Sequence, residues 1–378
     1  MKNILIFYAS YGGGHLSAAK SIKQYIDSHY KDCNVKMCDC MKYIDTKLEK
    51  ITTDAYKTMA KSAPKTWGEL YKLTDREGPI TQITNTSNKL FAIKLNKLFK
   101  EFNPDIVIST HPFSTQMTAE LKKLGKTKCT LATIMTDFAP HNQWLVGSDY
   151  IDYFFVSHEG MKKKIMQKGI PEEKIFATGI PLSNRFLQHF NREKIKEDLK
   201  LDTEKRTILF FGGGEFGLGK DATSKILEEF ILNLKNEYQM VVISGKNEKM
   251  YEKFSSIVKQ KRASKKVQVY TYTNKVPELM NISDLVVTKP GGLTSTESLA
   301  SGLPMVIINP IPGQEEKNAE YLVSSGVAIW LKNDDNCEKK IKDLLSNPDE
   351  LKQMKIKSKL MAKKNSTRDI CKIVLGEN

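Results

Sequence analysis

Two glycine-rich stretches of this 378-residue chain decide its fold class: FYASYGGGHLSAAK at residues 7–20 and FFGGGEFGLGK at residues 210–220. Each follows a short apolar run and leads into a segment with helical spacing of apolar residues. A strand, a glycine turn and a helix in this order are typical of parallel α/β sheets, whose ligands bind at the carboxyl edge of the strands. Because the pattern occurs twice, the sequence predicts an α/β chain with two Rossmann-like domains facing each other across a cleft.

Eleven short β-rich runs extend this pattern. Most are apolar at nearly every position, which is expected when helices cover both faces of a parallel sheet. The runs lie at residues 3–10, 35–40, 105–111, 129–137, 153–158, 175–181, 207–214, 240–245, 267–272, 285–289 and 305–310. A charged, helix-prone linker at residues 191–206 separates the sixth run from the seventh. We predict domains at residues 1–190 and 191–360, and a C-terminal helix at 361–378 that packs back on the first domain.

Composition and cysteine usage place the chain among reduced, globular proteins. Hydrophobic residues make up 40% of it and charged residues 27%, so it can bury full cores. Neither the N-terminal apolar stretch, Ile4 to Ala9, nor any other run is long enough for a signal peptide or a membrane span. The six cysteines form no CxxC pair, which favours reduced thiols in the cytoplasm over disulfides or a metal site.

The net charge of +15 indicates an acidic partner. Most of the excess is lysine, which suits diffuse attraction to an anionic membrane surface or a phosphorylated substrate better than the reading of nucleic-acid bases. The alternative is a lysine-rich surface without a special partner. Since the sequence contains no RNA-binding motif, zinc finger or basic helix-turn-helix, we predict no nucleic-acid binding.

A long insert at residues 41–104 separates the second and third predicted strands. Its second part, residues 88–102, has apolar residues on one helical face and lysines elsewhere, which predicts a helix covering the sheet. Its first part, residues 54–73, mixes Trp67 and other aromatic residues with lysines around a proline. Basic and aromatic side chains mixed in this way suit a membrane interface or an amphiphilic ligand.

The first glycine turn predicts a ligand site. Gly13 and Gly14 allow backbone N–H groups at a helix start to approach a polar ligand. His15, the next residue, is expected at the carboxyl edge of the same sheet. A histidine there can accept a proton near neutral pH, or it can cap the helix or orient a ligand. The turn lacks the third glycine of a dinucleotide fingerprint. In the second turn, Asp221 stands where a P-loop requires Ser or Thr, which excludes an NTPase.

Polar residues at the end of the fourth predicted strand extend this candidate site. Asp137 ends the strand 129–137, and His141 and Trp144 follow within seven residues. These side chains can assist proton transfer or shape an acceptor pocket. The run STH at residues 109–111 ends another strand at the same edge.

The second domain carries the pattern of a nucleotide-sugar pocket. Its glycine turn offers backbone donors for a diphosphate. A second turn is predicted to lead into a helix that starts near Ser295, with hydroxyl groups at 294–296 as caps and Glu297 in the first turn, where it can bind ribose hydroxyls. Carboxylates after the strand 305–310 can hold sugar hydroxyls, although each acidic residue can also be an ordinary helix-start residue. The candidate donor contacts are Gly213, Gly214, Lys289, Gly291, Gly292, Thr294, Glu297, Gln314, Glu315 and Glu316. No DxD-like pair suggests a metal, so we expect no metal and no cofactor.

Four motifs together resemble the family of monogalactosyldiacylglycerol synthases and processive diacylglycerol glucosyltransferases, and more distantly the UDP-N-acetylglucosamine transferase that makes lipid II. They are SYGGGHLSAA (10–19), TDFAPHNQW (136–144), FGGGEFG (211–217) and KPGGLTSTESLASGLPMVIINPIPGQEEKNAEYL (289–322). The resemblance implies a GT-B fold in which the first domain binds the acceptor and the second binds the UDP-sugar. It also implies inversion at the anomeric carbon without a catalytic metal.

By position in these motifs, the resemblance makes His15 the candidate general base or acceptor-orienting group. It places Gly213 and Gly214 at the diphosphate, Glu297 at the ribose, and Gln314 with Glu315 at the donor sugar, while the insert becomes the membrane-facing, lipid-binding part. We therefore predict a hexose transfer from a UDP-sugar to diacylglycerol, with His15 or Asp137 assisting deprotonation of the acceptor. The enzyme would lie in the cytoplasm, peripheral on the inner face of the cell membrane. Alternatives are another acceptor, such as a lipid-linked cell-wall precursor, or a UDP-sugar epimerase.

Overall fold

The computed structural model describes residues 1–10, 13–47, 50, 54, 58, 64–75, 79–212, 220–332 and 336–377. The chain forms two compact units. The first comprises Met1–Asn184, Pro312–Gln314 and Lys363–Asn378, and the second comprises Arg185–Ile311 and Glu315–Ala362. Each unit contains one parallel sheet of six strands. The α/β class predicted from the two glycine-rich stretches is confirmed.

The sheet of the first unit has the strand order β2-β1-β3-β4-β5-β6. Its strands are β1 (Lys2–Tyr8), β2 (Cys33–Asp39), β3 (Ile106–Ser109), β4 (Thr130–Ile134), β5 (Tyr153–Phe155) and β6 (Ile175–Phe176). Its helices up to this point are α1 (Gly13–His29), α2 (Cys40–Ile44), α3 (Pro64–Thr74), α4 (Pro79–Phe102), α5 (Pro112–Lys123) and α6 (Glu159–Met166). All strand pairs are parallel, as expected from strands that alternate with helices.

The sheet of the second unit has the order β12-β11-β10-β7-β8-β9. Its strands are β7 (Arg206–Phe211), β8 (Tyr238–Ile243), β9 (Val267–Tyr270), β10 (Leu285–Thr288), β11 (Met305–Ile308) and β12 (Ala328–Leu331). Its helices are α7 (Arg192–Asp198), α8 (Lys220–Leu232), α9 (Glu248–Gln260), α10 (Val276–Ile282), α11 (Gly292–Ala300), α12 (Gln314–Ser324), α13 (Cys337–Ser346) and α14 (Pro348–Met361). The first residue of α12, Gln314, is assigned to the first unit.

The sequence analysis missed β12. This edge strand is half exposed in the structure, but its residues at 328–331, AIWL, are as apolar as those of the runs that were predicted. Each of the eleven predicted runs overlaps a strand of the structure.

Helices cover both sheets as the apolar strands require. In α4, Leu95 and Leu98 are buried in the core of the first unit, whereas Lys94, Lys97 and Lys100 are exposed. This arrangement confirms the helix predicted at residues 88–102. The last helix, α15 (Ser366–Leu375), belongs to the first unit, and its Ile370 is fully buried in the apolar cluster that contains β1.

No helix in the described part of the chain is long and apolar enough to cross a membrane.

Gly212 directly follows β7 and lies in a space that only glycine fits. Its N–H donates to the carbonyl of Ile243 at 2.9 Å, and a Cβ at this position would lie 2.0 Å from the ring of Phe254. Phe254 is itself fully buried and meets Phe210 edge-on, with ring centroids 6.2 Å apart. The ring therefore has no free space into which it can retreat.

We expect Gly212→Ala to lower the free energy of unfolding by about 1 to 3 kcal/mol, the usual cost of overpacking a core. Chemical denaturation of the full chain measures the loss. Gly13→Ala is the matched control, because a Cβ at Gly13 meets no atom within 4 Å. Equal stability of the two variants would contradict the packing explanation.

Candidate active site

The strand order brings two turns together at one edge of the first sheet. β1 and β3 are neighbours, and the chain leaves β1 for β2 on one side while β3 leads to β4 on the other. Such a reversal opens a crevice at the carboxyl ends of the two strands, where open α/β sheets bind their ligands. His15, in the first turn of α1, and Thr110 with His111, directly after β3, lie at this reversal.

His15 is anchored there through one ring nitrogen. Its Nδ1 lies 2.5 Å from the carbonyl oxygen of Thr110 and 3.3 Å from the hydroxyl of Thr136. Because a carbonyl oxygen only accepts, Nδ1 carries the proton and Nε2 of the neutral ring carries the basic lone pair. The Thr110 hydroxyl also donates to the His15 carbonyl at 3.0 Å, so the same residue holds both the backbone and the ring of His15.

Burial keeps this imidazole neutral. The side chain retains some exposure to solvent, but the surrounding protein lowers the pKa of His15 to about 4, an effect that the hydrogen bond to Thr110 partly opposes. His111 lies edge-on to it, with ring centroids 4.7 Å apart, and burial followed by repulsion from His15 lowers the pKa of His111 as well. At neutral pH His15 can therefore accept a proton.

Three other histidines of the first unit are helix caps. In each, Nδ1 accepts a hydrogen bond from a backbone N–H at the start of a helix. These caps are His111 to Phe113, His141 to Gln143 and His158 to Met161, each at 3.2 Å. Nε2 of His141 also donates to the carbonyl of Tyr71 at 3.1 Å, and the side chain is buried. These contacts stabilise the protein, and the acceptor-binding role of His141 stays a prediction.

Asp137 and His15 are not hydrogen-bonded to each other. The three partners of His15 described above do not include Asp137, which is buried beyond β4 and accepts a hydrogen bond from Nε2 of Gln314. Gln314 thus contacts a candidate catalytic residue within the first unit, whereas the sequence analysis placed it at the donor sugar. The roles of both side chains stay predictions.

The remaining candidates in the first unit differ in exposure. Trp144 is buried in the core, Gly13 is exposed and Gly14 is partly exposed at the start of α1. The backbone of Trp67 lies in α3, but its side chain is outside the described part of the structure.

A second strand-order reversal lies between β7 and β10 in the second unit. Gly213 and Gly214 follow β7 in the sequence and lie outside the described residues. The turn after β10 runs from Lys289 to Gly291 and leads into α11, which starts at Gly292. Burial lowers the pKa of Lys289, and the charge of Glu315 opposes that shift, so the two side chains are near each other.

The predicted start of this helix near Ser295 was wrong. α11 starts three residues earlier, its N-cap is Gly291, and no side chain caps it. The hydroxyl groups predicted as caps have other positions: Thr296 donates back to the carbonyl of Gly292 at 2.8 Å, while Thr294 is partly exposed. Gly291 has no side chain that could cap the helix, so among the described residues no side-chain cap competes with a ligand for the first N–H groups of α11.

Glu297 consequently lies in the second turn of α11 and not in the first. Its carboxyl group is mostly buried and has no hydrogen-bond partner among the residues that the structure describes, and this burial raises the pKa of Glu297 to about 8. The hydroxyl of Ser295, on the same helix, is also buried without a partner in the described part of the chain. A buried polar group without a hydrogen-bond partner is costly, so Glu297 and Ser295 are candidates for contact with a ligand.

The loop before α12 is held by its own polar side chains. Oε2 of Glu315 accepts from the N–H of Ile311 at 2.7 Å, and the buried amide of Asn318 donates to the carbonyl of Pro290 at 3.1 Å. Asn318 thereby ties α12 to the turn that precedes α11. Glu316 is partly exposed in the first turn of α12.

Sequence reasoning missed several residues of this arrangement. Thr110 and Thr136 orient His15, and Asn318 ties α12 to the turn that precedes α11. The signal for Thr110 was present, because STH at 109–111 ends a strand at the reversal. Backbone acceptors such as the Thr110 carbonyl have no signature of residue type, so only coordinates identify them.

Comparison with known proteins agrees with this geometry. Residues 15–182 match the family described as monogalactosyldiacylglycerol (MGDG) synthase, and residues 191–361 match glycosyl transferases group 1. A processive diacylglycerol beta-glucosyltransferase from Bacillus cytotoxicus is 30% identical over 99% of this chain and 94% of its own length.

Two solved structures share the fold. MurG from Acinetobacter baumannii aligns over 100% of both chains with a TM-score of 0.67 and 15% identity. The UDP-GlcNAc 2-epimerase from Neisseria meningitidis, bound to UDP-GlcNAc, aligns over 100% of both chains with a TM-score of 0.62 and 13% identity. At these identities the likeness concerns the fold alone.

Two parallel six-stranded sheets with polar residues at their strand-order reversals are the GT-B fold, and the match of residues 191–361 to glycosyl transferases group 1 places the chain among the glycosyltransferases. Within that class, the chain belongs to the family of monogalactosyldiacylglycerol synthases and processive diacylglycerol glucosyltransferases. The resemblance carried by the four motifs is confirmed.

Proposed function

We propose that this enzyme transfers a hexose from a UDP-sugar to diacylglycerol at a membrane surface, with inversion and without a metal or other cofactor. The observation that carries the proposal is the family membership over the full chain, combined with a neutral His15 whose Nε2 is the basic nitrogen. The donor sugar can be glucose, as in the name of the relative, or galactose, as in the name of the matching family.

The acceptor chemistry belongs to the first unit. The hydroxyl of the acceptor gives its proton to Nε2 of His15 as its oxygen forms a bond to the anomeric carbon of the sugar. The bond between that carbon and the diphosphate oxygen breaks in the same step, and its electron pair leaves with UDP. One displacement of this kind inverts the configuration at the anomeric carbon. Thr110 and Thr136 hold the ring in the tautomer that this step requires.

The donor chemistry belongs to the second unit. The N-terminus of α11 directs its first N–H groups and the positive end of its dipole toward the turn that carries Lys289. These groups can stabilise the charge that develops on the diphosphate, which is the task that a metal performs in other enzymes. Glu297 and Ser295 are proposed to bind the ribose and the neighbouring phosphate, because both lack a partner among the described residues.

One incubation tests the proposed function. The full chain is mixed with diacylglycerol dispersed in detergent and, separately, with UDP-glucose, UDP-galactose or UDP-N-acetylglucosamine, and the lipid products are separated and identified. We expect a β-linked glycolipid with one of the hexose donors and equal turnover in excess EDTA. No glycolipid with any donor would overturn the proposal. Interconversion of free UDP-sugars without lipid product would assign the chain to the epimerase alternative.

A further inference from the structure

We propose that the outer face of α14 is a docking surface for an anionic lipid bilayer, formed by the second unit in addition to any lipid contact of the insert. This inference rests on the proposed function, because a lipid acceptor brings the enzyme to a membrane. The outer face is defined here by Lys352, Ile356, Lys357, Lys359 and Leu360, all of which are exposed.

The inner face of α14 fixes the orientation of this helix. Leu351 and Met354 belong to the apolar core of the second unit, and the fully buried hydroxyl of Ser358 donates to the carbonyl of Leu303 at 3.1 Å. The helix is thus packed on one side along its whole length. Its opposite side is presented to solvent on a rigid element.

Two apolar side chains stand out on that side. Ile356 is 44% exposed and Leu360 is 81% exposed. They are four residues apart and therefore adjacent on the helix surface. Among the exposed large hydrophobic residues of the described part of the chain, no other pair is spaced by one helical turn. Single exposed apolar residues are ordinary, whereas an adjacent pair on one face offers a small insertion site.

The lysines around this apolar pair indicate an anionic partner. Between Leu351 and Ala362 the sequence has four lysines and no acidic residue. At 100° per residue, Lys352 and Lys359 lie on one side of the apolar pair and Lys357 on the other. The acidic residues of the helix, Asp349 and Glu350, are confined to its first turn, where the helix dipole favours them. A leucine and an isoleucine between lysines match the acyl boundary and head groups of an anionic membrane.

A bilayer fits this surface better than another acidic macromolecule. Nucleic acid would satisfy the lysines but would leave Leu360 exposed to water. Lysine stems can pack over acyl chains while their ammonium groups reach the phosphates. The apolar and basic residues therefore act on one partner.

Sedimentation with vesicles tests the surface without donor or acceptor. The full chain is mixed with vesicles of phosphatidylcholine alone or with 30% phosphatidylglycerol, taken as roughly the anionic content of a charged leaflet. Two variants alter the outer face: Lys352→Gln/Lys357→Gln/Lys359→Gln and Ile356→Ser/Leu360→Ser. A control variant, Leu232→Ser/Lys225→Gln/Lys249→Gln/Lys259→Gln, removes equal charge and one exposed leucine from α8 and α9.

We expect the wild-type protein and the control to sediment with the anionic vesicles only. The triple-lysine variant should partition about a hundredfold less, since each lysine at such a surface contributes about 1 kcal/mol and about 1.4 kcal/mol is one tenfold step. Ile356→Ser/Leu360→Ser should partition at least about tenfold less, because the burial of two apolar side chains is lost. All altered side chains are exposed, so thermal unfolding should be unchanged.

Unchanged sedimentation of both α14 variants would overturn the inference, and so would equal losses in the control variant. A dimer that both variants dissociate, with vesicle binding intact, would assign the face to a second copy of the chain. The glycolipid assay in detergent requires no vesicle. A negative result there would contradict the proposed function, whereas a negative result in sedimentation would contradict only the membrane-docking role of α14.

Discussion

Replacement of His15 by alanine lowers kcat by about a hundredfold or more, the low end of the effect of a lost proton-transfer group. The physical reason is that Nδ1 is committed to the Thr110 carbonyl, which leaves Nε2 as the basic nitrogen at the edge of the first sheet. Binding of UDP should be unchanged, because the candidate donor residues of α11 belong to the second unit. Steady-state kinetics and titration calorimetry with UDP measure the two quantities.

The pH dependence of kcat/KM is an independent test of the role of His15 as the base. A histidine whose pKa is about 4 stays neutral throughout the physiological range and loses its function as a base only when pH falls through that value. The acid limb of kcat/KM, which reports the free enzyme, should therefore lie below about pH 5 and not near the ordinary value of about 6.5. Added imidazole should restore part of the activity of His15→Ala.

His158→Asn is the matched control for this prediction. The side chain of His158 caps α6 through Nδ1, a role that asparagine also performs, and it is not part of the proposed site. This variant should keep near-wild-type kcat. Near-wild-type activity of His15→Ala would instead remove His15 from proton transfer and direct attention to Asp137.

Glu297→Ala weakens the binding of UDP by up to about tenfold, because a pKa of about 8 leaves the carboxyl group neutral at pH 7 and a hydrogen bond between neutral groups contributes about 0.5 to 1.5 kcal/mol. We expect kcat to change less than the donor KM, since the ribose is remote from the bond that breaks. Glu320→Ala provides the control, because Glu320 is exposed on α12. Equal affinity of the two variants for UDP would contradict the assignment.

Glu297 should also affect how the free energy of unfolding varies with pH. Burial raises its pKa from an ordinary 4.5 to about 8 in the folded protein, so the folded state holds this proton more tightly than the unfolded state. The contribution of Glu297 to the free energy of unfolding is therefore most favourable below pH 4.5 and declines as pH rises to 8. Relative to the wild-type protein, Glu297→Gln should gain stability over this interval, as measured by urea denaturation at several pH values. A difference that does not vary with pH would show that the carboxyl group is not buried in the free protein.

Retention of such a residue is consistent with a binding role. In the free enzyme the carboxyl group of the partly exposed Glu297 is desolvated and the hydroxyl of Ser295 is buried without a partner among the described residues, and both are costly. A ligand with several hydroxyl groups would satisfy both. Sites that bind tightly are often unstable by themselves for this reason.

The sequence predicted most elements because local pattern and burial agree in a parallel sheet. Most of the eleven predicted runs are apolar at nearly every position, so their burial could be inferred from residue type. β12 was not predicted although its four residues at 328–331 are all apolar; it lies at the edge of its sheet, where half of its positions are partly exposed. The start of α11 was placed too late because three hydroxyl residues have the composition of a cap, whereas Gly291 has no side chain to signal one.

The sequence by itself determined the α/β class, the repetition of the glycine turn in two halves, and the family, because these depend on residue types at short spacing along the chain. Only the tertiary structure decided which nitrogen of His15 is basic, that Thr110 and Thr136 hold that ring, and that Glu297 is buried without a protein partner among the described residues. Those properties depend on which backbone oxygen lies near which side chain after strands distant in sequence become neighbours. Distances between such atoms, and the desolvation that shifts a pKa, do not exist until the sheet has formed.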